Sequence, residues 1–194
     1  MVKSNRNGQA ATLAPEQLDA ISEELAPAPR AAFSICRFTA ARVTEALSLR
    51  WENATQAEVV ISKNVTKKKK KMKTRAIPMN PRLFEELSEW KQTWQEAHGR
   101  EPNKGDFVFP NARDPVKHMT RQAVDKALRA ACSELGVVGA STHSLRRSAL
   151  TAASDKGVPL RVIQSISGHS SLEMLQRYID VKDEQKRAAA LAFG

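Results

Sequence analysis

The sequence has little cysteine, one tyrosine and no long apolar run. Its two cysteines, Cys36 and Cys132, supply neither a disulfide framework nor a zinc quartet, which points to a reducing, cytosolic setting. The best apolar stretch, residues 31–43, is broken by Arg37 and Arg42 and falls short of a membrane span. The N-terminus, MVKSNRNGQ, is polar throughout and lacks the apolar core of a secretory signal. There is no internal repeat. Acids are also in deficit: 21 Asp and Glu face 31 Lys and Arg, leaving a net charge of +10. That balance favours polyanionic partners, nucleic acid first and an anionic membrane surface second.

What is present fits an ordinary domain. A chain of 194 residues that is 41% hydrophobic and 27% charged can bury a core without staples. The positive charge is concentrated. Lys63 to Arg75 (KNVTKKKKKMKTR) holds eight cations and no acid, so the rest of the chain carries only +2. Taken alone, such a run reads as solvated charge or a polyanion-binding patch.

The pattern along the chain is mostly helical. Thr12 and Pro15 open a helix with Leu18, Ile21 and Leu25 on one face, and the Pro27/Pro29 pair ends it. Further helices are predicted over 30–39, 43–49 and from Leu83 through Trp94, whose tryptophans read as core packing. Another spans Val124 to Leu135. The β-branched run 58–61 and the segment 75–78 predict a hairpin with the lysine cluster between them. The last third predicts helices over 144–155 and 160–167, then one opened by a Ser170/Glu173 capping box and containing Tyr178. An Ala-rich segment, 185–193, closes the chain.

Two histidines sit in compact polar settings: His143 in Thr-His-Ser-Leu-Arg-Arg and His169 in Ser-Gly-His-Ser-Ser. His143 and Arg146 are three apart at a helix start and share a face. Tyr178 lies nine residues beyond His169. With three Trp and six Phe filling the aromatic roles, this lone phenol has no redundancy. A tyrosine is a weak nucleophile near neutral pH because its reference pKa is about 10. Guanidinium groups would stabilise its anion and hold a phosphate by paired hydrogen bonds. Histidines and a lysine would move protons. Together these groups suit metal-free phosphoryl transfer through a covalent phosphotyrosine.

These boxes resemble the tyrosine recombinase, or phage integrase, family over most of the chain from about Leu13. Thr-Ala-Ala-Arg-Val-Thr-Glu-Ala-Leu-Ser-Leu-Arg-Trp (39–51) is similar to the family's first arginine box, placing a catalytic arginine at Arg42 with Glu45 as its companion. The hairpin ending in Arg-Ala-Ile-Pro resembles the one that carries the catalytic lysine. Counting back from Pro78 selects Lys70, with Lys67 and Lys71 as alternative registers. Thr-His-Ser-Leu-Arg-Arg gives His143 and Arg146, and the closing box gives His169 and the nucleophile Tyr178. Where the family usually has glycine the chain has Ala40, so a left-handed backbone there would cost about 1 kcal/mol.

The resemblance implies a mainly helical α+β catalytic fold with a small three-stranded antiparallel sheet or β-hairpin. Residues 1–11 would be a polar extension or linker and 12–194 the catalytic domain, with the family's N-terminal core-binding domain absent. It implies an enzyme, a site-specific DNA recombinase or integrase that needs no metal, cofactor or ATP. Arg42 and Arg146 would clamp the scissile phosphate with His169 in support, His143 would assist proton transfer at Tyr178, and Lys70 would protonate the leaving oxygen. The partner is double-stranded DNA. The C-terminal segment would join protomers into a tetramer, and the setting would be the cytoplasm of a bacterium, with the protein bacterial or phage-encoded. A DNA-relaxing or end-resolving enzyme using the same chemistry, or a DNA-binding module without catalysis, are the alternatives.

Overall fold

The computed structural model describes residues 10–62, 74–179 and 183–193. Lys67, Lys70 and Lys71 lie outside the described residues. Helix α2 (Pro27–Thr39) is the hub, packed against α1 (Pro15–Glu23), α3 (Val43–Leu47), α4 (Pro81–His98), α5 (Arg121–Glu134) and α6 (Thr142–Asp155). Small side chains allow that crowding: Ala31, Ala32, Ser34 and Cys36 are all buried beside Phe33 and Ile35. Pro27 and Pro29 begin this helix rather than end the previous one. First-turn positions have no intrahelical N–H bond to lose, so both prolines are tolerated there.

The two predicted strands pair with each other. Strands β1 (Glu58–Ile61) and β2 (Arg75–Pro78) pair antiparallel, with Val59 opposite Ile77 and Ile61 opposite Arg75. Alternation buries Val59, Ile61, Ile77 and, unexpectedly, Arg75. Of three strands expected, two form among the described residues. The third is reduced to an isolated bridge between Ala54 and Val59, because Thr55 already turns back to bond Glu58 (3.0 Å). The segment 107–109, in the loop between α4 and α5, joins the core: Val108 N–H donates to Leu49 O (2.9 Å), and Val108 and Phe109 are fully buried. Trp94 is buried, while Trp90 donates to Val108 O (2.8 Å) and stacks on Phe109, so this stripe is packing as predicted.

Three local expectations change. Thr12 does not cap α1: Gln17 Oε1 accepts the Ala14 N–H instead (3.0 Å), and Thr12 Oγ1 accepts from Arg147 Nε (3.1 Å). Arg147 itself is buried. Helix α8 (Leu172–Gln176) is capped by Ser171, whose Oγ accepts the Met174 N–H (3.2 Å), not by Ser170. That helix ends before Tyr178, which sits in the following turn with its N–H donating to Leu175 O (2.9 Å). Helix α7 (Leu160–Ser167) stops at Gly168, whose φ of +68° an L side chain rarely adopts. Helix α9 (Asp183–Ala192) buries none of its residues, and Leu191 and Phe193 are exposed.

A second, smaller core joins Ala40, Leu150, Ile163 and Leu175, with Tyr178 packed against it. Ala40 ends α2 in the left-handed region at φ 52°. Relieving that strain with glycine is worth about 1–2 kcal/mol. The buried methyl is worth about 0.8 kcal/mol, and the added freedom of an unfolded glycine costs about 0.4–1 kcal/mol. These terms cancel, which explains how alanine persists in a glycine conformation. We predict that Ala40→Gly shifts stability by less than about 0.5 kcal/mol in urea denaturation. Ala32→Gly, inside α2 with no strain to relieve, should cost about 2 kcal/mol.

Candidate active site

The site is organised by a carboxylate that the fold hides completely. Glu45 is the third residue of α3 and fully buried. Its Oε2 accepts the Arg42 backbone N–H (2.8 Å), closing the first turn of the helix. Its Oε1 accepts from Arg42 Nη1 (3.0 Å), and Oε2 also accepts from Arg75 Nη2 (2.7 Å). Burial pushes this carboxyl's pKa upward, but the hydrogen bonds and charges of Arg75 and Arg42 outweigh it and hold the group below its usual range. Glu45 is thus an anion at neutral pH and fixes one guanidinium on each side. Arg42 keeps 30% of its side chain exposed, so it can still meet a ligand.

Arg146 enters from the second turn of α6 and is 2% exposed. Nη1 donates to Ala40 O and Nη2 to Ser167 O (2.8 Å), which ties the ends of α2 and α7 to α6. Nη2 also lies 3.1 Å from His169 Nε2 and 3.4 Å from Nδ1. Its Nε is buried without a hydrogen-bond partner, a donor still to be met. Burial, with the charges of Arg42 and Arg75, pushes the Arg146 pKa down to about 10, partly offset by Glu45 and Tyr178; it remains a cation at neutral pH.

His169 follows Gly168 and is also buried. Ser167 Oγ stands 2.8 Å from its Nδ1, and Gln164 Nε2 donates to its carbonyl (3.1 Å). A guanidinium only donates, so the nearer ring nitrogen, Nε2, accepts from Arg146; Nδ1 then carries the proton and gives it to Ser167. Burial and the charges of Arg146, Arg42 and Arg75 push the His169 pKa down to about 4, against a weaker pull from Glu45. The ring is neutral at pH 7. Tyr178 lies beside it, ring centroids 5.1 Å apart, and Thr151 Oγ1 donates to the Tyr178 carbonyl (3.2 Å).

The predicted residues Arg42, Arg146, His169 and Tyr178 are therefore brought together by α2, α3, α6, α7 and the turn after α8. His143 stands on the first turn of α6, three residues before Arg146, and is exposed. Sequence reasoning missed Arg75 and Ser167. Arg75 left a trace, since period-two alternation puts it on the same face as Ile77, and a cation on an apolar face needs a buried acid. Ser167 left none, because serine near a helix end is ordinary. Cys36 and Cys132 are both buried, and burial with Glu45 nearby pushes the Cys36 thiol up to about 12.

A helical domain with a basic hairpin and an arginine–histidine–tyrosine cluster belongs to a recognisable class. Residues 11–185 match the family described as "Phage integrase family", and the chain belongs to that family. It is similar to tyrosine recombinase XerD of Vibrio cholerae serotype O1, 34% identical over 153 residues that cover 76% of this chain and 47% of the relative. XerD of Vibrio vulnificus (strain YJ016) is 32% identical over 187 residues, covering 89% of this chain and 57% of the relative. The chain thus spans about half the length of these curated relatives. Its fold is that of XerA recombinase (TM-score 0.76, 18% identity, covering 96% of this chain and 66% of that one). The catalytic domain of bacteriophage HP1 integrase is also similar (TM-score 0.63, 22% identity, 88% and 87% covered).

The neutral His169 makes stability depend on pH. Its pKa is near 4 folded against an ordinary 6.5, so between those values the unfolded chain binds the extra proton. Stability is then fully present above pH 6.5 and falls as pH drops towards 4, by up to about 3 kcal/mol. We expect His169→Asn to flatten this part of the profile in urea titrations between pH 7 and 4.5. Equal slopes for the two proteins would contradict the assignment.

Proposed function

We propose that residues 12–194 form the catalytic domain of a site-specific DNA recombinase or integrase that cuts and rejoins strands through Tyr178. The observation that carries this reading is the contact chain from buried Arg146 through neutral His169 to Tyr178, flanked by the partly exposed Arg42. Membership of the phage integrase family supports it, as does the likeness to XerH recombinase, solved bound to its difH substrate before cleavage (TM-score 0.72).

In this reading a scissile phosphate docks against Arg42 and Arg146. Tyr178 Oη attacks phosphorus, its proton passing towards His143, and the bond to the 5′-oxygen breaks. The lysine of the hairpin, Lys70 in our register, gives that oxygen its proton. His169 donates nothing in its resting tautomer towards Arg146; it holds that guanidinium and, with it, supports the negative charge that grows on the phosphoryl oxygens. The 3′-phosphotyrosyl bond conserves the energy of the phosphodiester, so a 5′-hydroxyl from a partner strand reverses the attack and releases Tyr178. The scheme uses neither a metal nor ATP.

The test is a nicked suicide substrate, which loses its 5′-hydroxyl fragment and traps the covalent adduct on denaturing gels. Wild type should form the adduct. Tyr178→Phe should abolish it while DNA binding stays within about twofold, since a single hydroxyl contributes little to phosphate affinity. No adduct from wild type on any site selected from a DNA pool would refute the reading.

We also propose that double-stranded DNA carries several copies of the chain, joined through α9 as in a tetramer. The wholly unburied α9, with Leu191 and Phe193 exposed at its end, supports a partner surface. Truncation after Val181 should leave single-site DNA binding intact and slow adduct formation on a two-site substrate. Undiminished cleavage by the truncated chain would remove this part of the proposal.

A further inference from the structure

Arg75 takes no part in that reaction, yet it is built into the centre of the site. Its side chain is 6% exposed, against 30% for Arg42, and its guanidinium is already committed to Glu45. One face of its guanidinium meets Glu45, through Nη2 to Oε2 (2.7 Å) and Nη1 to Oε1 (3.5 Å). The other side lies against Gly168, where a Cβ would come within 2.8 Å of Arg75 Nη1 and 3.1 Å of Cζ. Gly168 is therefore required twice, for its positive φ and for this close approach. The next residue is His169.

Both ends of the contact lead to catalytic groups. Glu45 holds the side chain and backbone of Arg42, and all its acceptor capacity is taken by the two arginines, so it cannot turn without releasing one of them. Arg75 itself is fixed by its place opposite Ile61 at the start of β2, and β2 packs on α7. The geometry points to Arg75 as a positioning residue: it sets Arg42 and His169 in register with each other, through Glu45 on one side and Gly168 on the other. This deepens the recombinase reading and rests on it for the reaction concerned.

A simpler alternative exists, in which Arg75 only neutralises a buried carboxylate. Lysine separates the two. An ammonium keeps the charge beside Glu45 but cannot fork across both oxygens or lie flat over Gly168. Around His169 stand Arg146 from α6, Arg42 and Glu45 from α3, Arg75 from β2 and Tyr178 after α8. Removing only the Arg75 charge should therefore raise the His169 titration, while removing only its shape should not.

The experiment compares wild type, Arg75→Lys and Arg75→Gln in the full chain, using adduct formation on the suicide substrate and NMR titration of labelled histidine, with His169→Asn to assign the signal. Arg75→Lys keeps the buried charge paired and should fold, with the His169 titration unmoved. It should nevertheless cleave about 100-fold more slowly, the scale expected for an ångström of misplacement, with DNA affinity unchanged. Arg75→Gln should raise the His169 midpoint above that of wild type. Cleavage at the wild-type rate by Arg75→Lys, or an unmoved midpoint in Arg75→Gln, overturns the proposal. If wild type itself makes no adduct, the recombinase reading fails and the titration alone judges the linkage.

Discussion

A single ionised carboxylate, sealed from water, is what the rest of the site depends on. Glu45 in isolation would be prohibitively costly to bury, and the two guanidiniums that compensate it are thereby immobilised. The arrangement converts a desolvation cost into geometry: neither arginine can adjust its position without leaving a charge unpaired in the interior. Arg146 extends the principle with backbone carbonyls in place of a carboxylate. It binds the ends of two helices, and those ends position Ala40 and His169. The cationic cluster needs no salt-dependent surface charge to hold its shape.

The electrostatic result is a neutral histidine surrounded by cations. Burial and three guanidiniums discourage His169 from protonating, so it serves Arg146 as an acceptor and donates its Nδ1–H to Ser167. A phosphate arriving in the same place would reverse part of that field. The ring is therefore poised between two roles: an acceptor that orients Arg146 in the free protein, and a group whose proton affinity rises when negative charge is brought near.

Much of this is legible in the residues. The hairpin strands are readable because the β-branched run 59–61 stops just before the lysines start and Pro78 closes the second segment. The helix over 160–167 is readable because Pro159 and Gly168 bracket it. The candidate site residues stand out in the sequence because they are rare or oddly placed: one tyrosine, two histidines in polar boxes, and Arg42 interrupting an apolar run. What stays hidden depends on distance in three dimensions. Thr12 has the look of a cap, but Arg147, far along the chain, claims its hydroxyl. Pro27 and Pro29 have the look of a stop because a proline pair reads equally well as the first turn of the next helix. Tyr178 is helical by spacing, yet α8 ends after one turn and leaves it in a turn packed on the small core.

The bonds that build the centre also span the chain. Leu13 N–H donates to Ser148 Oγ across 135 positions, and Arg146 reaches Ala40 across 106. Loop-closure entropy makes such contacts late ones during folding, since near neighbours meet first at lower cost. The residues of the site come from all three thirds of the sequence, Arg42 and Glu45 first, then Arg75, then Arg146, His169 and Tyr178, with α6 as the element that the earlier ones must reach. A chain still emerging from the ribosome, or cut anywhere between Ala40 and Arg146 and allowed to separate, has no assembled centre at all. In the proposed function, the capacity to break a phosphodiester bond then arrives only with the completed fold.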